Sequence, residues 1–313
     1  MGSVGAMDVM SWLLDGDPAI RWQVMRDLTG GSTEEIAAER SRIAEAGWGS
    51  RLLSMQDPDG KWGGGIYSPK WISTTYTLLL LRHLGIEPSN AAAQRGIAAL
   101  FQRAEWFDGG VSYFVSLREG ETCVTGMTLG LASYFGGFGN HVESMAHWLL
   151  DQQLEDGGWN CETRHGSVRA SFNTTILVLE GLLAFERTRP AGLVQSVRDA
   201  RRRGEDYLLD RHLMRSLTTG EIIRSSWTRF SFPPRWHYDV LRGLDYLQSA
   251  GVRPEDRAGE AIDLLMSKQT KEGRWKLQNH HSGREHFKME QTGQPSRWNT
   301  MRALRVLRWY GIE

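Results

Sequence analysis

The chain has 313 residues in which 37 lysines and arginines are matched by 37 aspartates and glutamates, so its net charge offers nothing to recruit nucleic acid or an anionic membrane. Its two cysteines, Cys123 and Cys161, are too few for a disulfide scaffold, and no run approaches the roughly 20 apolar residues that span a bilayer. The N-terminus has no long apolar core behind basic residues, so a cytoplasmic setting is expected.

In chain order, residues 1–6 read as a tail or an expression remnant, and a first helix is predicted from Asp17-Pro18 to about Leu28. The phrase Gln56-x-x-Asp59-Gly60-x-Trp62 follows, and then an apolar helix from Trp71 to Gly85. Asp108-Gly109-Gly110 is a degenerate copy of the phrase, ahead of a helix from Glu121 to Gly136. An amphipathic run, Val142 to Gln153, leads into Gln153-x-x-Asp156-Gly157-x-Trp159 and a helix from Ser171 to Arg187. The basic run Arg198 to Arg203 reads as the solvated face of an outer helix. A long connection, 224–232, precedes a helix from Pro234 to Gly251. The third phrase, Gln269-x-x-Glu272-Gly273-x-Trp275, precedes a loop over 278–290 and a last helix from Pro295 to Gly311.

The steps from Asp59 to Asp108 and from Asp108 to Asp156 are 49 and 48 residues, and a period near fifty marks a repeat architecture. Each unit reads as a helical hairpin, which makes the chain all-α with six hairpins in one domain over 1–313. Asp-Gly and Gly-Gly suit the turn because they tolerate positive φ, the Trp packs the turn against neighbouring helices, and the Gln is available to free backbone groups at a helix end. Proline at helix starts and glycine just past helix ends follow the usual asymmetry of helix termini.

The thrice-written phrase, the fifty-residue period and the alternation of amphipathic with apolar helices resemble the terpenoid cyclase and protein prenyltransferase superfamily. The resemblance implies an α/α toroid, an inner ring of helices inside an outer ring around a central cavity, and covers about residues 15–312. Two motifs of that family are absent here. No Asp-x-Asp-Asp run is present to protonate an alkene, and no Asp-Asp-x-x-Asp run to hold magnesium diphosphate. Glu121-x-Cys123 is similar to the zinc-binding pair of the prenyltransferases, but Asn173 stands where their histidine would fall.

Parallel inner helices would gather their N-termini at one mouth. Overlaying the helix starts brings Ser73, Cys123, Asn173, His237 and Asn299 to one level, with Arg21 as the sixth member. Trp71, Phe172, Trp236, Tyr238 and Trp298 stand beside them as wall residues. Ser73, Asn173 and Asn299 also suit ordinary helix caps. His237 and Asp239 are the candidate proton-handling groups, with Glu121 and Cys123 as polar partners; two residues apart on a helix, His237 and Asp239 point about 160–200° apart. Cys123, His237 and Cys161 are the candidate metal ligands, with zinc the ion they would take and no cofactor otherwise required. The loop with His280, His281, His286 and Glu290 is a candidate lid that offers His286 or Glu290 to the cavity, and 224–232 is a matching flap.

The resemblance and these residues together imply a small-molecule enzyme of cyclase, lyase or isomerase type. It would act on a largely apolar, isoprenoid-like substrate by acid/base or cation-stabilising chemistry, as a monomer or homodimer. Two alternatives stay open: a non-catalytic binder of a hydrophobic small molecule, and a zinc-dependent prenyltransferase-like enzyme.

Overall fold

The computed structural model describes residues 8–114, 116–191 and 194–312, and the stretch 1–6 read as a tail lies outside them. Among the described residues the chain is mostly helical, with one two-stranded hairpin. The six helices expected after the repeat turns are α2 (Pro18–Val24, extended by a π-type turn at Met25–Thr29), α5 (Thr74–Leu84), α7 (Thr122–Phe135), α9 (Phe172–Arg187), α11 (Val240–Ala250) and α13 (Arg297–Tyr310). Between them run α3 (Thr33–Ser41), α4 (Gly47–Ser54), α6 (Ala91–Arg103), α8 (His141–Asp151), α10 (Gln195–Leu209) and α12 (Gly259–Ser267), and α1 (Val9–Leu14) precedes them all. Asp17 caps α2 from the Ala19 N–H with Pro18 in the first turn, while Gly85, Gly251 and Gly311 end α5, α11 and α13 in the left-handed region.

The repeat phrase does the same bonding each time. The indole N–H groups of Trp62, Trp159 and Trp275 donate to the carbonyls of Leu52, Leu149 and Leu265, each at 2.7 Å. Their backbone N–H groups reach the hydroxyls of Thr74, Thr175 and Thr300 in the next inner helix. All three rings are fully buried. Gln56 and Gln153 each donate to the turn's own glycine carbonyl and also to a carbonyl of the next outer helix, Ala92 in α6 and Ala200 in α10. The glutamine therefore ties one repeat to the next and does not close a free helix end. Gly96 and Gly204 leave room for the rings, since a Cβ at either would come within 2.6 or 2.7 Å of the indole. In the degenerate copy Val111 holds the tryptophan's place, and its N–H still takes the Thr125 hydroxyl. There the turn tightens into a hairpin of β1 (Glu105–Phe107) and β2 (Gly110–Ser112), with Trp106 opposite Val111.

The inner helices succeed one another in space. α5 packs on α7, α7 on α9, α9 on α11, α11 on α13, and α13 returns to α2. Trp22 and Gln23 of α2 donate to the Leu84 and His83 carbonyls of α5, which completes the circuit. The α7–α9 contact is the tightest, because Gly126 and Gly181 face each other with no space for a Cβ. No described helix is long and apolar enough to cross a membrane.

Candidate functional site

Neighbouring N-terminal ends of these helices do touch, but most of their polar side chains are already engaged. Asp239 caps α11: Oδ1 accepts the Arg242 N–H at 2.9 Å, and Oδ2 accepts the Ser231 N–H at 3.0 Å and its hydroxyl at 2.5 Å. Both oxygens of the residue expected to handle protons are thus engaged with α11 and with Ser231. Asn173 accepts the Tyr238 N–H at 2.8 Å, and Asn299 donates to the Lys276 carbonyl at 3.0 Å. Both staple neighbouring segments instead of capping their own helices or facing a cavity. Ser73 is fully buried, and among the described residues its hydroxyl neither caps α5 nor finds another partner. Arg21 lies elsewhere, tied to Glu39 at 2.7 Å and to the Gly16 carbonyl.

His237 stacks between Trp236 and His281, with ring centroids at 3.7 and 3.9 Å, and meets the edge of Trp71. Burial, reinforced by the neighbouring cations and His281, pushes His237 down to about 3 and His281 to about 4, so both rings are neutral near pH 7. His281 Nε2 lies 3.2 Å from Ser231 Oγ, which links the stack to Asp239. Phe172 and Tyr238 belong to a core cluster with Tyr207 and Trp227, where the Tyr238 hydroxyl is spent on the Leu213 carbonyl.

The loop predicted as a lid is bonded down onto this end. Trp71 donates its indole N–H to the Ser282 carbonyl and its backbone N–H to Arg284, Arg284 returns a bond to Lys70, and His286 sits 2.9 Å from the Thr77 hydroxyl. Glu290 caps α13 through Ser296, Arg297 and Trp298. What remains beside Trp71, Arg235 and His286 is a space of about 20 Å³, room for about one water.

Cys123 and Cys161 do come together: the Cys123 N–H donates to Cys161 Sγ at 3.1 Å, and Thr174 adds its hydroxyl. Glu121 accepts from Ser112 and is pushed up by burial. His237 faces His281 instead of the two sulfurs, and among the described residues no group of three His, Cys, Asp or Glu side chains gathers. The zinc set does not assemble, and tetrahedral zinc has too few ligands here.

The large cavity lies at the other end. A chamber of about 930 Å³, partly open to solvent, is lined mainly by the middle and last turns of these helices, with Trp22 from α2, His83 from α5, Tyr134 from α7, Glu180 from α9, Asp245 from α11 and Arg302 from α13, and also by Arg242 and Trp298 from first turns. Of the sequence candidates only Trp298 reaches it, stacked at 4.0 Å on Phe232. Its wall carries seven arginines against four carboxylates, so it is cationic. Arg242 grips both oxygens of Glu180, Arg302 and Arg305 share Asp245, Arg26 and Arg305 share Asp27, and Arg40 reaches Glu87. Burial alone would raise Glu180 and Asp245, but these guanidinium partners hold both below the usual carboxylate range. His83, 6.2 Å from the Phe232 ring, is pushed down to about 4 by burial and stays a neutral imidazole.

Two of the wall's arginines form no ion pair among the described residues, although Glu180 acts on Arg82 and Glu186 on Arg187 from a distance. Arg187 donates only to the Ser249 carbonyl, and Arg82 has no hydrogen bond or ion pair among the described residues. Gly130 on α7 makes room for the Arg82 guanidinium, since a Cβ there would come within 2.5 Å of Nη1. Sequence reasoning missed this set, yet a signal was present. Arg82 and Glu180 are charged residues within or beside the apolar runs Leu78 to Leu81 and Ile176 to Phe185, where a sealed helix core would hold neither.

No family model matches the chain, and no curated protein matches it. Among solved structures it is similar to the type II terpene cyclase MstE from Scytonema, with 16% identity, a TM-score of 0.45, and 93% of this chain and 88% of that chain covered. A variant of that cyclase in complex with its product, merosterolic acid A, gives 15% identity, a TM-score of 0.45, and coverage of 94% and 86%. Another variant, in complex with the substrate geranylgeranyl dihydroxybenzoate, gives 16% identity, a TM-score of 0.44, and coverage of 93% and 85%.

Proposed function

We propose that the six inner helices form the inner ring of an α/α toroid, a single domain that takes an isoprenoid-like small molecule with an anionic phosphate or diphosphate end into the chamber at their C-terminal halves. The observation that carries this reading is the Arg82 guanidinium, which makes no hydrogen bond or ion pair among the described residues, on a wall that also presents Trp22, Phe232 and Trp298. An arginine on a cavity wall that forms no ion pair of its own is available to a ligand that supplies the opposite charge. Because Arg187 likewise forms no ion pair among the described residues, a headgroup with two or more negative charges suits the wall better than one carboxylate.

The chemistry this wall supports is of lyase or isomerase type. The aromatic faces stabilise positive charge on the hydrocarbon, and neutral His83 accepts a proton from it. Alkene protonation is unsupported, since Glu180, Asp245 and Asp27 are all held ionised by arginine. That same lack of a proton donor favours a second reading, a binder that returns its ligand unchanged.

Calorimetry with farnesyl diphosphate and farnesol, on wild type and Arg82→Met, tests the binding. The diphosphate should bind at least about tenfold more tightly than the alcohol, and Arg82→Met should abolish that advantage while raising the melting temperature of the ligand-free protein. Equal affinity for both ligands would sink the anionic end; no binding of either would sink the chamber. Product analysis of bound ligand separates enzyme from binder: an altered hydrocarbon that disappears in His83→Ala supports catalysis, and unaltered ligand supports binding alone.

A further inference from the structure

The two thiols are left over from this chemistry, and they are placed together. Cys123 lies in the first turn of α7, a helix of 14 residues, and its N–H points at Cys161 Sγ at 3.1 Å. Cys161 opens the short 3₁₀ turn Cys161–His165, and its sulfur also accepts from the Thr174 hydroxyl. Both thiols are free. Cys161 further lines an open groove of about 570 Å³, next to Trp148 and Arg164, whereas Cys123 is not among the groove's lining residues. Cys161 thus borders the open groove and carries two hydrogen bonds that favour its thiolate, with the second, also half-buried, thiol beside it.

We infer that Cys161 is a peroxide-reactive thiol and that Cys123 resolves its oxidised form as an intramolecular disulfide. The Cys161 thiolate attacks one oxygen of a hydroperoxide, which breaks the O–O bond; the sulfur becomes a sulfenic acid and the other oxygen leaves, protonated, as water or an alcohol. Cys123 Sγ then attacks the sulfenic sulfur, the S–S bond forms, and hydroxide leaves and takes up the Cys123 proton as water. The peroxide is reduced by two electrons and the thiol pair is oxidised by two. With the Cys123 N–H 3.1 Å from the other sulfur, the two residues are near enough for side-chain rotation to bring their sulfurs into bonding reach. The bridge would fasten the start of α7 to the 161–165 turn and close a loop of 38 residues across one repeat.

The test is peptide mapping by mass spectrometry of the native protein after brief exposure to hydrogen peroxide, with dimedone present in parallel samples. Wild type should lose two hydrogens as a Cys123–Cys161 crosslink reversed by dithiothreitol, and its melting temperature should rise. Cys123→Ser should accumulate dimedone on Cys161, whereas Cys161→Ser should leave Cys123 unlabelled at the same dose. In reduced wild type, iodoacetamide should modify Cys161 at least about tenfold faster than Cys123. Preferential oxidation of Cys123, crosslinks only between molecules, or methionine sulfoxide formation ahead of any change at Cys161 would each overturn the assignment.

Discussion

The two ends of the inner helices carry similar residue types to opposite effect. At the N-terminal end Asp239, Asn173 and Asn299 each satisfy a backbone group, and the 278–290 loop is bonded across the mouth, leaving space for about one water. At the C-terminal end the acids are also paired, but the arginines outnumber them, and a chamber of about 930 Å³ stays open around the surplus. A polar residue at a helix start is thus weak evidence for a site, because irregular connections present backbone groups that must be satisfied first. A polar group in mid-helix, where the backbone is already paired, has no such duty.

If that contrast is sound, damage at the sealed end should cost stability and spare ligand, whereas damage at the chamber should do the reverse. The largest loss is expected for Trp71→Ala, which removes a buried ring and the indole bond that pins the loop: about 3–5 kcal/mol by urea unfolding. A loss below about 1 kcal/mol would mean that the loop is a lid after all. Asp239→Ala comes next, at roughly 1–3 kcal/mol, from a lost cap and an unpaired buried Ser231 N–H. Its farnesyl diphosphate affinity should match wild type, and a severe loss of affinity would return Asp239 to the site.

The pH dependence is smaller. His237 and His281 have folded values near 3 and 4, below the ordinary histidine value of 6.5, so the unfolded chain binds more protons between those limits. The stability of the neutral stack is complete above about pH 6.5 and is lost as pH falls toward 4. Urea midpoints at pH 7.5 and 5.0 should therefore decline, and His237→Phe should shrink the decline while keeping the stack. An unchanged slope in that variant would show that other groups set it. The smallest stability effect belongs to Trp298→Phe at the chamber, within about 1.5 kcal/mol, yet it should weaken isoprenoid binding measurably.

The helical order was largely legible in the sequence, for reasons visible at single residues. Gly60 and Gly157 adopt positive φ in the turns, Pro18 and Gly85 bound helices, and each repeat tryptophan has one carbonyl and one threonine to meet. The site was not. Levelling the helix starts did bring His237, Trp71 and the 278–290 loop to one place, but single-residue reading could not show that Asp239 would turn to Ser231 and away from any cavity. Nor could it show that Arg82 would lie beside Gly130, a contact between helices 48 residues apart that only the packing of α5 on α7 creates. The charges of the chamber were on the page in the sequence, hidden because the runs around them read as apolar.

Hydrogen exchange of the wild-type protein with and without farnesyl diphosphate separates the two ends most directly. We expect new protection in the middle and last turns of the inner helices, around 82–85, 183–187, 245–249 and 302–305, with 71–77 and 237–239 unchanged. Protection confined to 71–77, 237–239 and the 278–290 loop would place the ligand at the end described here as sealed and contradict the chamber as the binding site.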